Sequence, residues 1–89
     1  MYYVYILHSQ KDKCLYTGYT TNLKKRFDDH NNLFVKSTKT RAPLELIYYE
    51  AYVSKKDALS REIFLKSGRG KSYLKKQLSN YFFTNPWKC

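Results

Sequence analysis

Two short strand-forming runs stand almost back to back near the start of the chain, and they leave the fold little choice. Residues 2–8, YYVYILH, are nearly all β-branched or aromatic, and after the polar stretch Ser9–Lys13 a second run follows at Leu15–Thr20. A connection this short between neighbouring strands implies an antiparallel hairpin. Alternation then sends Tyr3, Tyr5 and Leu7 to one face and Val4, Ile6 and His8 to the other. The second strand divides Tyr16, Gly18 and Thr20 from Leu15, Thr17 and Tyr19.

Downstream, Asn22 or one of Thr20 and Thr21 is placed to cap a helix running to about Asn31. Phe34 to Pro43 is polar and basic, holds Lys36, Lys39 and Arg41, and reads as a surface loop. A third strand is expected at Leu44–Val53. Ser54 with Asp57 three residues on resembles a capping box for a helix through about Ser67, and Gly68 and Gly70 read as its stop. Leu74 and Leu78, four apart, mark a last helix from Lys71 to about Tyr81, ahead of an aromatic tail. The expected division is a domain over residues 1–80 and a tail over 81–89.

The chain has room for one small core, which its ten Tyr, five Phe and one Trp help to fill with large buriable areas. Its formal net charge of +10 favours a polyanionic partner, nucleic acid first among them. Attraction to a membrane surface would call for a long amphipathic helix with Trp or Leu on one face, and none is visible. Cys14 and Cys89 have neither zinc-site spacing nor the density of a disulfide framework, so a reduced, cytoplasmic setting is expected. With no leader and no apolar run of spanning length, the expectation is a soluble protein that is not exported.

A few residues break this plain pattern. On a wheel of about 100° per residue, Glu62 falls in an apolar arc with Ala58, Leu65, Leu59 and Ile63. A carboxylate there needs a cationic partner, either a structural ion pair or a hard divalent metal such as Mg²⁺ or Mn²⁺. Arg26 and His30, four apart on the first helix beside Leu23 and Phe27, supply a bidentate phosphate ligand and a proton carrier. Each alone could equally serve packing. Sheet tyrosines are commonly structural, but Gly18 inside a strand often marks a close approach. His8 has no evident partner.

These residues fall in a known order. Tyr3-Val4-Tyr5, then Tyr16-Thr17-Gly18 continuing through Tyr19 to Arg26 and His30, with Glu62 downstream, resembles the signature of the GIY-YIG nuclease superfamily, and most closely its small stand-alone branch. The resemblance implies an α/β (α+β) domain with a three-stranded antiparallel sheet flanked by helices. It implies Tyr5 and Tyr16 beside the attacking water, Arg26 on the scissile phosphate, His30 or a tyrosine as proton acceptor, and one divalent metal on Glu62. Tyr3 stands where the family has its first Gly, Thr17 where it has Ile, and Tyr19 where some relatives have Lys. The Asn that the family often carries on a later helix has no counterpart between Glu62 and Gln77.

The expected activity is thus metal-dependent endonucleolytic cleavage, of DNA before RNA, with Tyr19, Lys36, Lys39, Arg41, Arg69 and Lys71 on the nucleic acid. The competing reading is a non-catalytic binding module of the same fold, gripping backbone with these cations and with Lys75 and Lys76. Such a small domain is expected to need a second copy or a recruiting partner to span a duplex.

Overall fold

The computed structural model describes residues 1–32 and 40–88. Strands β1 (Tyr2–Ser9), β2 (Leu15–Thr20) and β3 (Leu44–Tyr52) form an antiparallel sheet in the order β2-β1-β3. The hairpin is as expected, and β1, the central strand, holds the most buried residues, Val4 to Ser9. Helix α1 (Leu23–Asn31) follows β2, and Asn22 caps it by accepting the Lys25 N–H. Helix α2 (Lys55–Lys66) is capped by Ser54 on the Asp57 N–H. Helices α3 (Gly68–Gln77) and α4 (Ser79–Thr84) complete the chain.

The sheet carries a core on each side. Val4 and Ile6 pack with Ala58, Leu65 and Leu74, so α2 and α3 cover one face. Tyr5, Leu7 and Leu44 gather Tyr16, Leu23, Phe27 and Leu46, so α1 covers the other. A register shift in β3 pairing lies between Ile6 and Leu7. Through it Leu46 joins the Leu7 face, while Tyr48, Glu50 and Tyr52 turn to the Val4 and Ile6 side. Among the described residues no helix is long and apolar enough to cross a membrane.

The second half departs from expectation at two joints: the helix expected from Lys71 to about Tyr81 is broken at Leu78 into α3 and α4, and the boundary between α2 and α3 is not the glycine stop. Gly68 and Gly70 do not stop a helix; they occupy the first turn of α3, which starts three residues earlier than Lys71. Ser67 closes α2 through its N–H on the Phe64 carbonyl and caps α3 by accepting the Gly70 N–H. A β-carbon on Gly70 would lie 2.0 Å from the Phe64 carbonyl oxygen and 2.5 Å from Leu65 Cα. The glycine is there because two helix backbones meet, a constraint that a linear sequence presents as a turn signal.

Behind the sheet, Arg61 donates from Nε to Glu50 Oε1 at 2.8 Å and from a terminal nitrogen to Oε2 at 3.1 Å. Phe64 and Tyr73 take the Arg61 guanidinium over their rings at 4.9 and 4.7 Å. The Tyr48 and Tyr52 hydroxyls also donate to Glu50. Burial, then the Glu50 carboxylate, pushes the Tyr52 phenol up to about 12. This network fastens α2 to β3.

His8 has a partner after all, 73 residues away. Its Nε2–H donates to the Lys13 carbonyl at 3.1 Å, which leaves Nδ1 to accept the Tyr81 hydroxyl at 2.7 Å. Phe82 packs on the same imidazole and on Trp87, and the Lys88 N–H returns to the Lys13 carbonyl. The described part of the aromatic tail therefore folds onto the core.

Burial holds the His8 pKa below its ordinary 6.5 despite its hydrogen bond to Lys13. His30 is lowered too, by burial and then by the Arg26 charge. A histidine whose folded pKa is depressed stabilises the fold above its unfolded value and loses that contribution as pH falls toward the folded value. The urea midpoint should hold steady from pH 8 to 7 and drop steadily from about 6.5 towards 5, before the carboxylates titrate. A midpoint flat over that interval would contradict the assignment.

Candidate active site

Tyr5 and Gly18 are directly paired across β1 and β2. A β-carbon on Gly18 would sit 2.2 Å from the Tyr5 hydroxyl and 2.3 Å from Cζ, so the ring lies over the glycine and uses the space a side chain would fill. The gap in the strand pattern is thus the bed of a buried tyrosine. Beyond it the Tyr5 hydroxyl stands 2.8 Å from His30 Nε2, with the two rings edge to face.

Helix α1 delivers Arg26 and His30 to this point, because they lie one turn apart on the side shared with Leu23 and Phe27. Burial raises the Tyr5 pKa, the nearby Arg26 guanidinium opposes that rise, and the Glu62 charge adds to it. Tyr5, Arg26, His30 and Glu62 therefore share one electrostatic neighbourhood, although they come from a strand and two helices. Lys25, Arg26 and Asp29 also line a cleft with Thr20, Thr21 and Asn22, beside the start of α1. Asp29 turns to Lys25 at 3.1 Å.

Glu62 is not inside an apolar arc. Ile63 is 72% exposed and Leu59 is at the surface, so the buried line of α2 runs through Ala58 and Leu65 and Glu62 sits at its rim. The cationic partner its position called for is Lys66, one turn on, at 3.2 Å from Oε2. Among the described residues no group of three or more His, Cys, Asp and Glu could hold a metal on protein ligands alone. A single, partly exposed carboxylate, held among the described residues only by that pair to Lys66, fits a hard divalent ion that completes its shell with water and substrate oxygens.

Tyr16 lies on the Tyr5 face and packs into the same cluster, but its hydroxyl is engaged elsewhere, donating to Asp12 Oδ2 at 2.8 Å. Arg41 Nε meets that carboxylate oxygen at 3.1 Å. Tyr19 goes to the opposite face, where it stacks on Tyr2 with ring centroids 6.3 Å apart. Arg69 and Lys71 ride on α3, on that opposite side, and Arg69 lines a shallow cleft with Phe64, Ser72, Tyr73 and Lys76. Lys36 and Lys39 lie outside the described residues. Asp12 was missed from sequence because an aspartate in a turn is ordinary; its spacing of four from Tyr16 was the available hint.

The GIY-YIG catalytic-domain family matches residues 1–87. A UPF0213 protein of Clostridium perfringens is 49% identical over 74% of this chain and 71% of its own length. One from Streptococcus pyogenes, serotype M5, is 46% identical over 79% of this chain and 76% of its own length. The solution NMR structure of a UPF0213 protein from Bacillus halodurans is 37% identical, with a TM-score of 0.55 over 86% of this chain and 85% of that one.

Proposed function

Because the chain belongs to the GIY-YIG catalytic-domain family, whose chemistry is of the nuclease type, we propose that it hydrolyses phosphodiester bonds in nucleic acid, DNA before RNA. The observation that carries this reading is the Tyr5 hydroxyl laid across Gly18 onto His30 within the field of Arg26. The competing module, which only grips backbone, has no use for a buried phenol and imidazole in contact.

The depressed His30 pKa leaves its ring neutral at neutral pH, and the raised Tyr5 pKa leaves the phenol protonated. Tyr5 then donates to Nε2. As a water oxygen attacks phosphorus, its proton passes to the Tyr5 oxygen and the Tyr5 proton passes to His30, while the bond to the leaving oxygen breaks. Arg26 faces the non-bridging oxygens and offsets the charge that grows on them. Glu62 would hold one Mg²⁺ or Mn²⁺, whose contribution is Lewis-acid stabilisation of the phosphate and of the leaving oxygen. One site makes one cut, so scission of a duplex calls for a second copy or a recruiting partner, with the cytoplasm as the setting.

End-labelled DNA and RNA, incubated with the full chain in Mg²⁺ and in EDTA across pH, test the reading. DNA cleavage that needs the metal and rises with pH through one ionisation below 6.5 is expected. Binding with no product under any condition would return the chain to the competing module.

A further inference from the structure

Granted nuclease chemistry on the Tyr5 face, we propose that Asp12 is a positioning residue of that site, holding Tyr16 by its hydroxyl and Arg41 by its Nε so that both meet one substrate phosphate group. Both contacts fall on a single carboxylate oxygen, Oδ2, which fixes the phenol and the guanidinium next to each other. The other oxygen, Oδ1, accepts the Cys14 N–H at 2.9 Å and sets the carboxylate's angle.

The support beneath Asp12 is built for the purpose. Ser9, wholly buried at the end of β1, accepts the N–H groups of Lys11 and Asp12 on its hydroxyl oxygen. The same hydroxyl donates to the Arg41 carbonyl at 2.6 Å. The Gln10 N–H donates to the Pro43 carbonyl beside it. The β1–β2 turn and the segment entering β3 are thus stitched together by the Ser9 hydroxyl and by main chain, and the Asp12–Arg41 pair crosses the same seam.

Three consequences follow for a phosphate. A bare carboxylate beside it would repel, and Arg41 offsets that charge. Because Arg41 spends Nε on Asp12 and its side chain is 46% exposed, its terminal nitrogens can face outward for a phosphate. Tyr16 donates its O–H to Asp12, so the lone pairs of its oxygen remain to accept from a water and orient it, which separates its task from the proton transfer at Tyr5. Burial works to raise the Asp12 carboxyl, but the Cys14 and Tyr16 hydrogen bonds and the Arg41 charge bring it below its ordinary value. Burial and then Asp12 keep the Tyr16 phenol raised, and Arg41 opposes them.

The test compares the full chain with Asp12→Asn, which keeps an acceptor for the Cys14 N–H, and with Arg41→Gln. With ring-labelled tyrosine, NMR should show the Tyr16 ionisation moving to lower pH in Asp12→Asn and to higher pH in Arg41→Gln. On a single-stranded oligonucleotide in EDTA, Arg41→Gln should flatten the slope of log K against log salt by about 0.7, one phosphate contact. Asp12→Asn should bind at least as tightly as the parent, and in Mg²⁺ its kcat should fall about tenfold with KM not raised. An unmoved Tyr16 titration in Asp12→Asn, an unchanged salt slope in Arg41→Gln, or an unaltered kcat in a cleaving Asp12→Asn would each overturn the proposal. Should the parent chain cut nothing, the nuclease reading falls by itself, and the titration and the salt slope still decide whether Asp12 presents Arg41 and Tyr16 to a phosphate.

Discussion

Glu62→Gln should lower DNA cleavage by about a thousandfold, the several kcal/mol that a metal ion contributes to charge stabilisation, while leaving the fold intact. The ion pair to Lys66 that the substitution removes has its cation more than half exposed, and its loss costs little stability. Affinity for uncut DNA in EDTA should be unchanged or slightly higher, since the chain sheds one negative charge. Loss of turnover with retained binding separates a metal-holding acid from a structural one. Equal turnover in parent and variant would remove Glu62 from the site.

Gly70→Ala should destabilise the protein by about 3 kcal/mol, at the upper end for overpacking, and lower Tm by roughly 15 °C. The added carbon meets main-chain atoms of Phe64 and Leu65 that cannot rotate away, so α3 must back off from α2. Gly68→Ala is the built-in control. It adds the same carbon two residues earlier, where nothing lies within 4 Å, and should raise stability by about 0.5 kcal/mol through helix propensity alone. Differential scanning calorimetry of the pair reads both signs. Equal effects would show that the helix contact, and not propensity, has been misjudged.

What could be read in advance was local. The hairpin, the caps at Asn22 and Ser54 and the entry into β3 depend on neighbours within a few residues, and the structure has them where alternation and capping chemistry put them. Tyr5 and Gly18 were each flagged, one as a sheet tyrosine and the other as a gap, yet only the register shows that one fills the other. The joint between α2 and α3 was misread because a glycine demanded by a neighbouring backbone looks, in one dimension, like a glycine that ends a helix. His8 and Tyr81, or Glu50 and Arg61, carry no mutual signal in spacing or composition. Their pairing is a product of topology, and with it went the Asp12 carboxylate, whose meaning depends on Arg41 arriving from another segment.

Arg61 and Glu62 are consecutive residues of one helix, the first bound into the aromatic network behind the sheet and the second turned toward the site at its rim. The rotation of α2 about its own axis is therefore set on one side and used on the other. A map of which positions tolerate substitution will not coincide with a map of which positions touch nucleic acid. Tyr48, Glu50, Tyr52 and Tyr73, on the sheet face opposite Tyr5, carry the angular setting of the acid and should tolerate substitution poorly for that reason.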